Sequence, residues 1–218
     1  LIRILVHEIS NSVTPINSLA NTAVSLLPET SENNEDWLAD VEESLNAIAR
    51  RSEGLVDYVH NYRKLAHLAP VVKKDVRVKD MLQEHVNFTK NQDEGLDISI
   101  EVAPEHLTIS ADKTALDQVI LNLILNGIDA CKQAKREQPC IELKAGINRY
   151  GKAVVSIADN GCGIHRNALP KIFTPFFTTK PNGSGIGLAL SKQIMYQHGG
   201  DIIVESTLDK GTCFKLIF

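Results

Sequence analysis

The sequence predicts an α+β protein. A long helical hairpin forms a four-helix bundle on dimerisation, and an α/β sandwich follows, its mixed sheet covered on one face by helices. Three observations carry this. Residues 1–66 hold two long heptad patterns with no strand-like run between them. From Val76 onward, helical periods interleave with alternating strand patterns. Between them, HLAPVVKKD is polar and contains a proline, as a domain boundary should. The expected domains are residues 1–68, a linker at 69–75, and residues 76–218.

The first helix is predicted over Leu1–Leu27. Ile2, Leu5, Ile9, Ser12, Ile16, Leu19, Ala23 and Leu26 step by three and four, which is an a/d seam with one polar member. PETSENNED is rich in breakers and N-cap residues and ends it. The second seam runs through Leu38, Val41, Leu45, Ile48, Ser52, Leu55, Val59, Tyr62 and Ala66. One hairpin has too little core to stand alone, so a homodimer through residues 1–66 is expected. With the seam inward, His7 falls at an f position facing solvent, beside Glu8, with Asn11 one turn on. By itself His7 also reads as an ordinary surface histidine. A zinc reading fails, because His7-Glu8-x-x-Asn11 lacks the second histidine of H-E-x-x-H. Pro15 should bend the helix.

In the second part, MLQEHVNFTK reads as a helix, and LDISIEV and LTIS as strands expected to pair antiparallel. Asp112 reads as the N-cap of a long helix reaching about Lys135. On it, Leu116, Val119, Ile120, Leu123 and Ile124 make a broad apolar face. Asn122 and Asn126 sit one turn apart. They lower helix propensity, and read either as exposed polar residues or as hard oxygen ligands. IELKAGIN and AVVSIAD are strands, the latter delivering Asp159 to its end. GDIIVES and TCFKLIF form a last pair around Asp209-Lys210-Gly211.

The strand end at Asp159 opens into D-N-G-C-G-I, where Gly161 and Gly163 can take positive φ. Gly183, Gly185 and Gly187 then open a helix through IGLALSKQIMYQH. Free N–H groups at such a start suit phosphate. A strand-end carboxylate, flexible backbone and an anion site together make a nucleotide pocket. Either glycine group alone reads equally as a turn. No G-x-x-x-x-G-K-[ST] is present, and Gly183–Gly187 is not G-x-G-x-x-G, so the P-loop and Rossmann patterns are excluded.

With 218 residues and a net charge of −4, the chain has no basic run suited to nucleic acid or anionic membrane, and no apolar run of spanning length. The four cysteines lack C-x-x-C spacing and read as reduced thiols. No signal peptide is visible, and the first residue falls inside a helical pattern. A fragment of a longer protein is expected, itself cytoplasmic and without membrane contact, with membrane anchoring of the parent left open.

These pieces in order resemble a sensor histidine kinase of two-component systems. HEISNSVTPI resembles the H-box, Asn122–Asn126 the N-box, Asp159–Gly163 the G1 box, Phe173–Phe177 the F-box, Gly183–Gly187 the G2 box, and Gly211-Thr212 the closing G-T element. H-E-x-x-N, T-P-I and F-F-T-T-K are most similar to nitrogen-regulation type sensors.

The resemblance implies a dimerisation and histidine-phosphotransfer hairpin followed by a GHKL-type ATP-binding domain, with ATP and Mg²⁺ as cofactors. His7 would be the phosphoacceptor, Glu8 would take a proton from the other ring nitrogen, and Asn11 would orient water for dephosphorylating the partner. That partner would be a response regulator bearing the receiving aspartate. Asp159 would accept from the adenine amino group, and Asn126 would bind Mg²⁺ with Asn122. Gly161, Gly163, Gly183, Gly185 and Gly187 would flank the nucleotide, with Ile164, Ser184, Ile186, Leu188, Asp129 and Thr212 around it. Phe173, Phe176 and Phe177 would anchor a lid, though they read equally as core aromatics. Thr178, Thr179 and Lys180 would approach the phosphates. Gly127 stands where the family often has alanine, and should loosen the helix by ~1 kcal/mol. Two alternatives stay open: a GHKL ATPase of the chaperone or mismatch-repair type, which uses a glutamate where Asn122 stands, and a non-enzymatic nucleotide-binding scaffold.

Overall fold

A computed structural model describes residues 2–25, 36–66, 68–90, 95–180 and 183–218. The chain divides into two compact units, Leu1–His67 and Leu68–Phe218.

The first unit is α1 (Ile2–Ser25) and α2 (Asp36–Ala66), packed along one another. Helix α1 runs on through Pro15. Among the described residues Ala23, Ser44 and Leu65 are its most buried, with Ile16, Leu19, Val41, Ile48 and Leu55 half-buried. The stripe on α2 is therefore rotated from the expected seam: Ser44 and not Leu45 lies inside. Leu38 and Leu45 stay more than half exposed, at 57% and 55%, and Val13, Val24 and Val56 are exposed with them. Heptad spacing gives a two-sided apolar stripe, and one neighbouring helix covers only one side of it.

The second unit runs β1 (Lys74–Arg77), α3 (Val78–Lys90), β2 (Asp97–Ala103), β3 (Thr108–Ala111), α4 (Lys113–Gln133), β4 (Cys140–Ile147), β5 (Ala153–Asp159), a 3₁₀ turn (Leu169–Lys171), α5 (Gly187–Gln197), β6 (Asp201–Thr207) and β7 (Gly211–Ile217). The main sheet has the order β2-β4-β5-β7-β6. All its neighbours are antiparallel except β2 and β4, which are parallel. The expected β2–β3 pair does not form. β3 instead pairs antiparallel with β1, whose first two residues fall in the expected linker. KDVR has one buried residue, Val76, and is too short and polar to read as a strand. Residues 74–75 belong to this strand, and Val72 N–H donates to Asp112 Oδ2 (2.9 Å), so the second unit begins before Val76.

Alternation then does what period two dictates. Ile98, Ile141, Leu143, Val155, Ile157, Phe214, Leu216 and Ile202 point inward and are buried. The helices cover that face with Met81 and Leu82 of α3, Leu116, Val119, Ile120, Leu123 and Ile124 of α4, and Ile194 and Met195 of α5. Each such side chain contributes roughly 2 kcal/mol. The outer face carries charge: Lys144 pairs with Glu142 (2.7 Å) and Glu101 (3.5 Å), and Lys215 with Glu205 (2.6 Å).

The long helix α4 starts where Asp112 caps it, Oδ1 accepting from Ala115 N–H (3.1 Å). The Asp112 N–H in turn donates to His198 Nε2 (3.0 Å), whose Nδ1 donates to Ile194 O (2.8 Å). This ties the start of α4 to the end of α5.

Candidate functional site

β5 is a central strand with neighbours on both sides, so Asp159 at its end stands between Ile141 of β4 and Thr212 of β7. Its Oδ1 accepts from Gly161 N–H (2.8 Å) and Thr212 N–H (3.3 Å). Oδ2 accepts no hydrogen bond among the described residues. Burial pushes the carboxyl above the usual aspartate value, and the two N–H donors pull it partly back. The carboxylate is thus fixed, poorly hydrated, and has one oxygen to spare for a donor.

The turn after Asp159 departs from expectation in one respect. Gly163 does take positive φ (+69°), but Gly161 is not in that region. A Cβ on Gly161 would sit 2.5 Å from Ala130 Cβ, so glycine there permits close approach of the turn to α4. Gly127 serves the same contact: a Cβ would lie 3.1 Å from Asp159 Cβ. The expected loosening of α4 is secondary to this approach.

Two residues brace the turn: Arg136, which sequence reasoning missed, and Asn160, read only as a member of D-N-G-C-G-I. Arg136 Nε donates to Asn160 O (2.6 Å), and its Nη2 donates to both Gly161 O (3.1 Å) and Asp209 O (2.5 Å). Asn160 Oδ1 accepts from Cys140 N–H (3.0 Å), and its Nδ2 donates to Gln138 O (2.8 Å). Arg136 stands in KQAKREQP, a charged surface stretch. Its partners are backbone carbonyls, which leave no trace in a sequence.

Across the cavity, α4 presents its asparagines. Asn122 Nδ2 donates to Ser191 Oγ (3.0 Å), and Ser191 Oγ donates to Gly187 O (2.9 Å), which locks α4 to the first turn of α5. A Cβ on Gly187 would fall 2.2 Å from Asn122 Oδ1, so this contact requires glycine. Asn126 Nδ2 reaches toward Asn122 Oδ1 (3.5 Å). Asn126 Oδ1 accepts from Lys180 Nζ (2.9 Å), which also pairs with Asp129 Oδ2 (2.6 Å).

Between these walls lies a cavity of about 540 Å³. Asn122, Asn126, Asp129, Asp159, Gly163 and Ile164 line it, with Phe177 through Lys180, Gly183 to Gly185, Gly187, Leu188 and Thr212. Ala130, Gln133, Cys162, Ala168, Ile172 and Phe214 complete the lining without having been expected. Their apolar or neutral side chains carry no chemical signature. Three expected residues stand behind the wall. Gly161 is buried against α4, and Ile186 is buried in the core. Phe173 packs edge-on against Phe214 (6.5 Å between centroids) with Lys192 over its face (4.9 Å). His7, Glu8 and Asn11 lie along the backbone of α1, and their side chains fall outside the described residues.

A half-buried carboxylate with a free oxygen suits a base with an exocyclic amine, and the Lys180 ammonium beside the amide oxygens of α4 suits a phosphate chain. Among the described residues no group of three His, Cys, Asp or Glu is placed to hold a metal ion. The amide oxygen of Asn126 fits a hard cation that arrives with phosphates, as Mg²⁺ does, and it already attracts an ammonium. The four cysteines are free, and burial raises the Cys131, Cys140 and Cys213 thiols.

Comparison with known proteins agrees with this geometry. Residues 111–218 match the family of histidine kinase-, DNA gyrase B-, and HSP90-like ATPases. The chain is 33% identical over 212 residues to the sensor histidine kinase ZraS of Salmonella typhimurium, covering 96% of this chain and 43% of that protein. It is 31% identical over 217 residues to the signal transduction histidine-protein kinase AtoS of Escherichia coli, covering 97% and 33%. It thus spans less than half the length of these relatives. The catalytic domain of histidine kinase ThkA superposes with a TM-score of 0.59 at 31% identity, over 67% of this chain and 95% of that one. ThkA in complex with response regulator protein TrrA superposes with a TM-score of 0.63 at 25% identity, over 99% and 60%. The C-terminal unit is an ATPase domain of the histidine kinase, gyrase B and HSP90 type. The chain belongs to the sensor histidine kinases.

Proposed function

We propose that residues 68–218 bind ATP with Mg²⁺ and that its γ-phosphoryl group passes first to His7 and then to an aspartate of a response regulator. The observation that carries this reading is Asp159: both backbone donors use Oδ1, and Oδ2 is left for the adenine amino group. Asn126, with Asn122 behind it, would hold the metal through its amide oxygen. When bound, Mg²⁺ neutralises charge on the phosphates and withdraws electrons from phosphorus. The neutral His7 imidazole attacks phosphorus, the bond to the β-phosphate bridging oxygen breaks, and ADP leaves. Glu8 accepts a proton from the other ring nitrogen. Asn11 orients water in the reverse duty, dephosphorylating the regulator. The regulator partner is supported by the likeness to ThkA, which was solved in complex with response regulator protein TrrA.

Residues 1–66 are the dimerisation and phosphotransfer hairpin in this reading. The exposed Val13, Val24, Leu38, Leu45 and Val56 support it, since a second hairpin would cover them. No helix among the described residues is long and apolar enough to cross a membrane. In this reading the piece works in the cytoplasm.

Incubation with Mg²⁺ and [γ-³²P]ATP tests the assignment. Acid-labile, alkali-stable label is expected, and His7→Gln should abolish it while nucleotide binding persists. Label surviving in His7→Gln would refute the phosphoacceptor.

A further inference from the structure

Lys180 is the one basic residue lining the pocket among the described residues. Its ammonium lies on Asn126 Oδ1 at 2.9 Å, the very oxygen assigned to the metal, and on Asp129 Oδ2 at 2.6 Å. Two ligand oxygens and one positive charge form a cation site already filled from within the chain. The ion pair is half open to water, at 39% and 56% exposure, so exchanging its partners is cheap. Both groups line the cavity. We propose that Lys180 is the resident cation of Asn126 and that nucleotide binding with metal is a cation exchange on that oxygen. Asp129 keeps the displaced ammonium at the pocket mouth. Asn126 would otherwise offer the phosphates a bare oxygen, and Asp129 would repel them.

This rests on Asn126 being the metal ligand, and it makes a claim that reading alone does not. A lysine that simply adds a phosphate contact would act beside the metal, and its loss would weaken binding equally with and without Mg²⁺. A lysine that shares its site with the metal is partly replaced by it. Its loss should therefore be severe without Mg²⁺ and mild with it.

Calorimetric titration of the chain with ATP, in Mg²⁺ and in EDTA, measures this as the ratio of the two dissociation constants. Lys180→Met is expected to raise that ratio about three- to tenfold over the unsubstituted chain. Lys180→Arg, which keeps the charge, is expected to return it most of the way. An unchanged ratio in Lys180→Met, with a melting temperature showing intact fold, would overturn the exchange. Asn126→Ala reports separately on the underlying reading: there the ratio should collapse toward one. A ratio left unchanged by Asn126→Ala removes Asn126 as metal ligand, whatever Lys180→Met does.

Discussion

The two ends of the cavity are built differently. At the Asp159 end, the carboxylate and the turns beside it are held chiefly through backbone groups. Gly161 and Thr212 N–H hold Oδ1, and Arg136 grips three carbonyls of the adjoining turns. At the Asn126 end, the restraints are side chain to side chain, and Lys180 and Asp129 are half exposed. In the proposed function the first end is preorganised to hold the base, and the second, open to water, can change partners as phosphates enter and leave, so the tighter restraints fall where the base would be read.

The largest effect expected from breaking this contrast is at Asp159. Asp159→Asn keeps an Oδ1 for both backbone donors but turns an amide N–H₂ toward the ligand's amine. ATP affinity should fall at least tenfold, or roughly 1.5–3 kcal/mol. The melting temperature should hold or rise, since a poorly hydrated charge is removed. Unchanged affinity would sink the adenine assignment. Next comes Gly161→Val, which drives carbon into Ala130; it should cost about 1–3 kcal/mol of stability in a denaturant titration. Arg136→Met should lower ATP affinity severalfold by releasing the turn, with discrimination against a purine nucleotide lacking the amino group reduced; equal loss for both nucleotides would make Arg136 a merely structural residue.

Acid should act on the same end. Asp159 has a raised folded pKa, so its ionisation costs stability at high pH, and that cost is relieved as pH falls through the folded value. Nucleotide binding runs the other way, because the amine needs the ionised form. ATP affinity should begin to fall at a pH above the usual aspartate range, and Asp159→Asn should flatten that profile. The smallest effect is at Asp112, whose carboxyl is held low first by Val72 N–H and then by Ala115 N–H. Its stabilisation is full above the unfolded aspartate value and is lost as pH falls through the lowered folded one. Asp112→Ala should cost about 0.5–2 kcal/mol at neutral pH, and less in acid.

Much of this site can be read from residues whose type is costly where it stands. Asparagines in a helix interior and glycines around a strand-end aspartate contradict local propensity, and the structure brings them to one cavity. What stayed hidden had no such contradiction. Alternation along LDISIEV tells which residues face inward, but the same pattern fits a parallel or an antiparallel neighbour, so the β2–β4 pair could not be read. Ser44 replaced Leu45 inside the hairpin because heptad spacing defines a stripe without saying which side meets the nearer helix. Arg136 is one surface charge among several until its three carbonyls are seen.

The outer face of the sheet has one more consequence. Its two lysines, Lys144 and Lys215, stand on the inner strands β4 and β7, while the edge strands β2 and β6 carry only acids: Asp97, Glu101, Asp201 and Glu205. Glu101 and Glu205 pair with those lysines, while Asp97 and Asp201 have no ion pair among the described residues, so each edge keeps negative charge toward an approaching copy. A chain proposed to work in pairs holds its sheets at high local concentration, where open edges invite strand pairing and aggregation. Acid at both edges works against that outcome without touching the pocket.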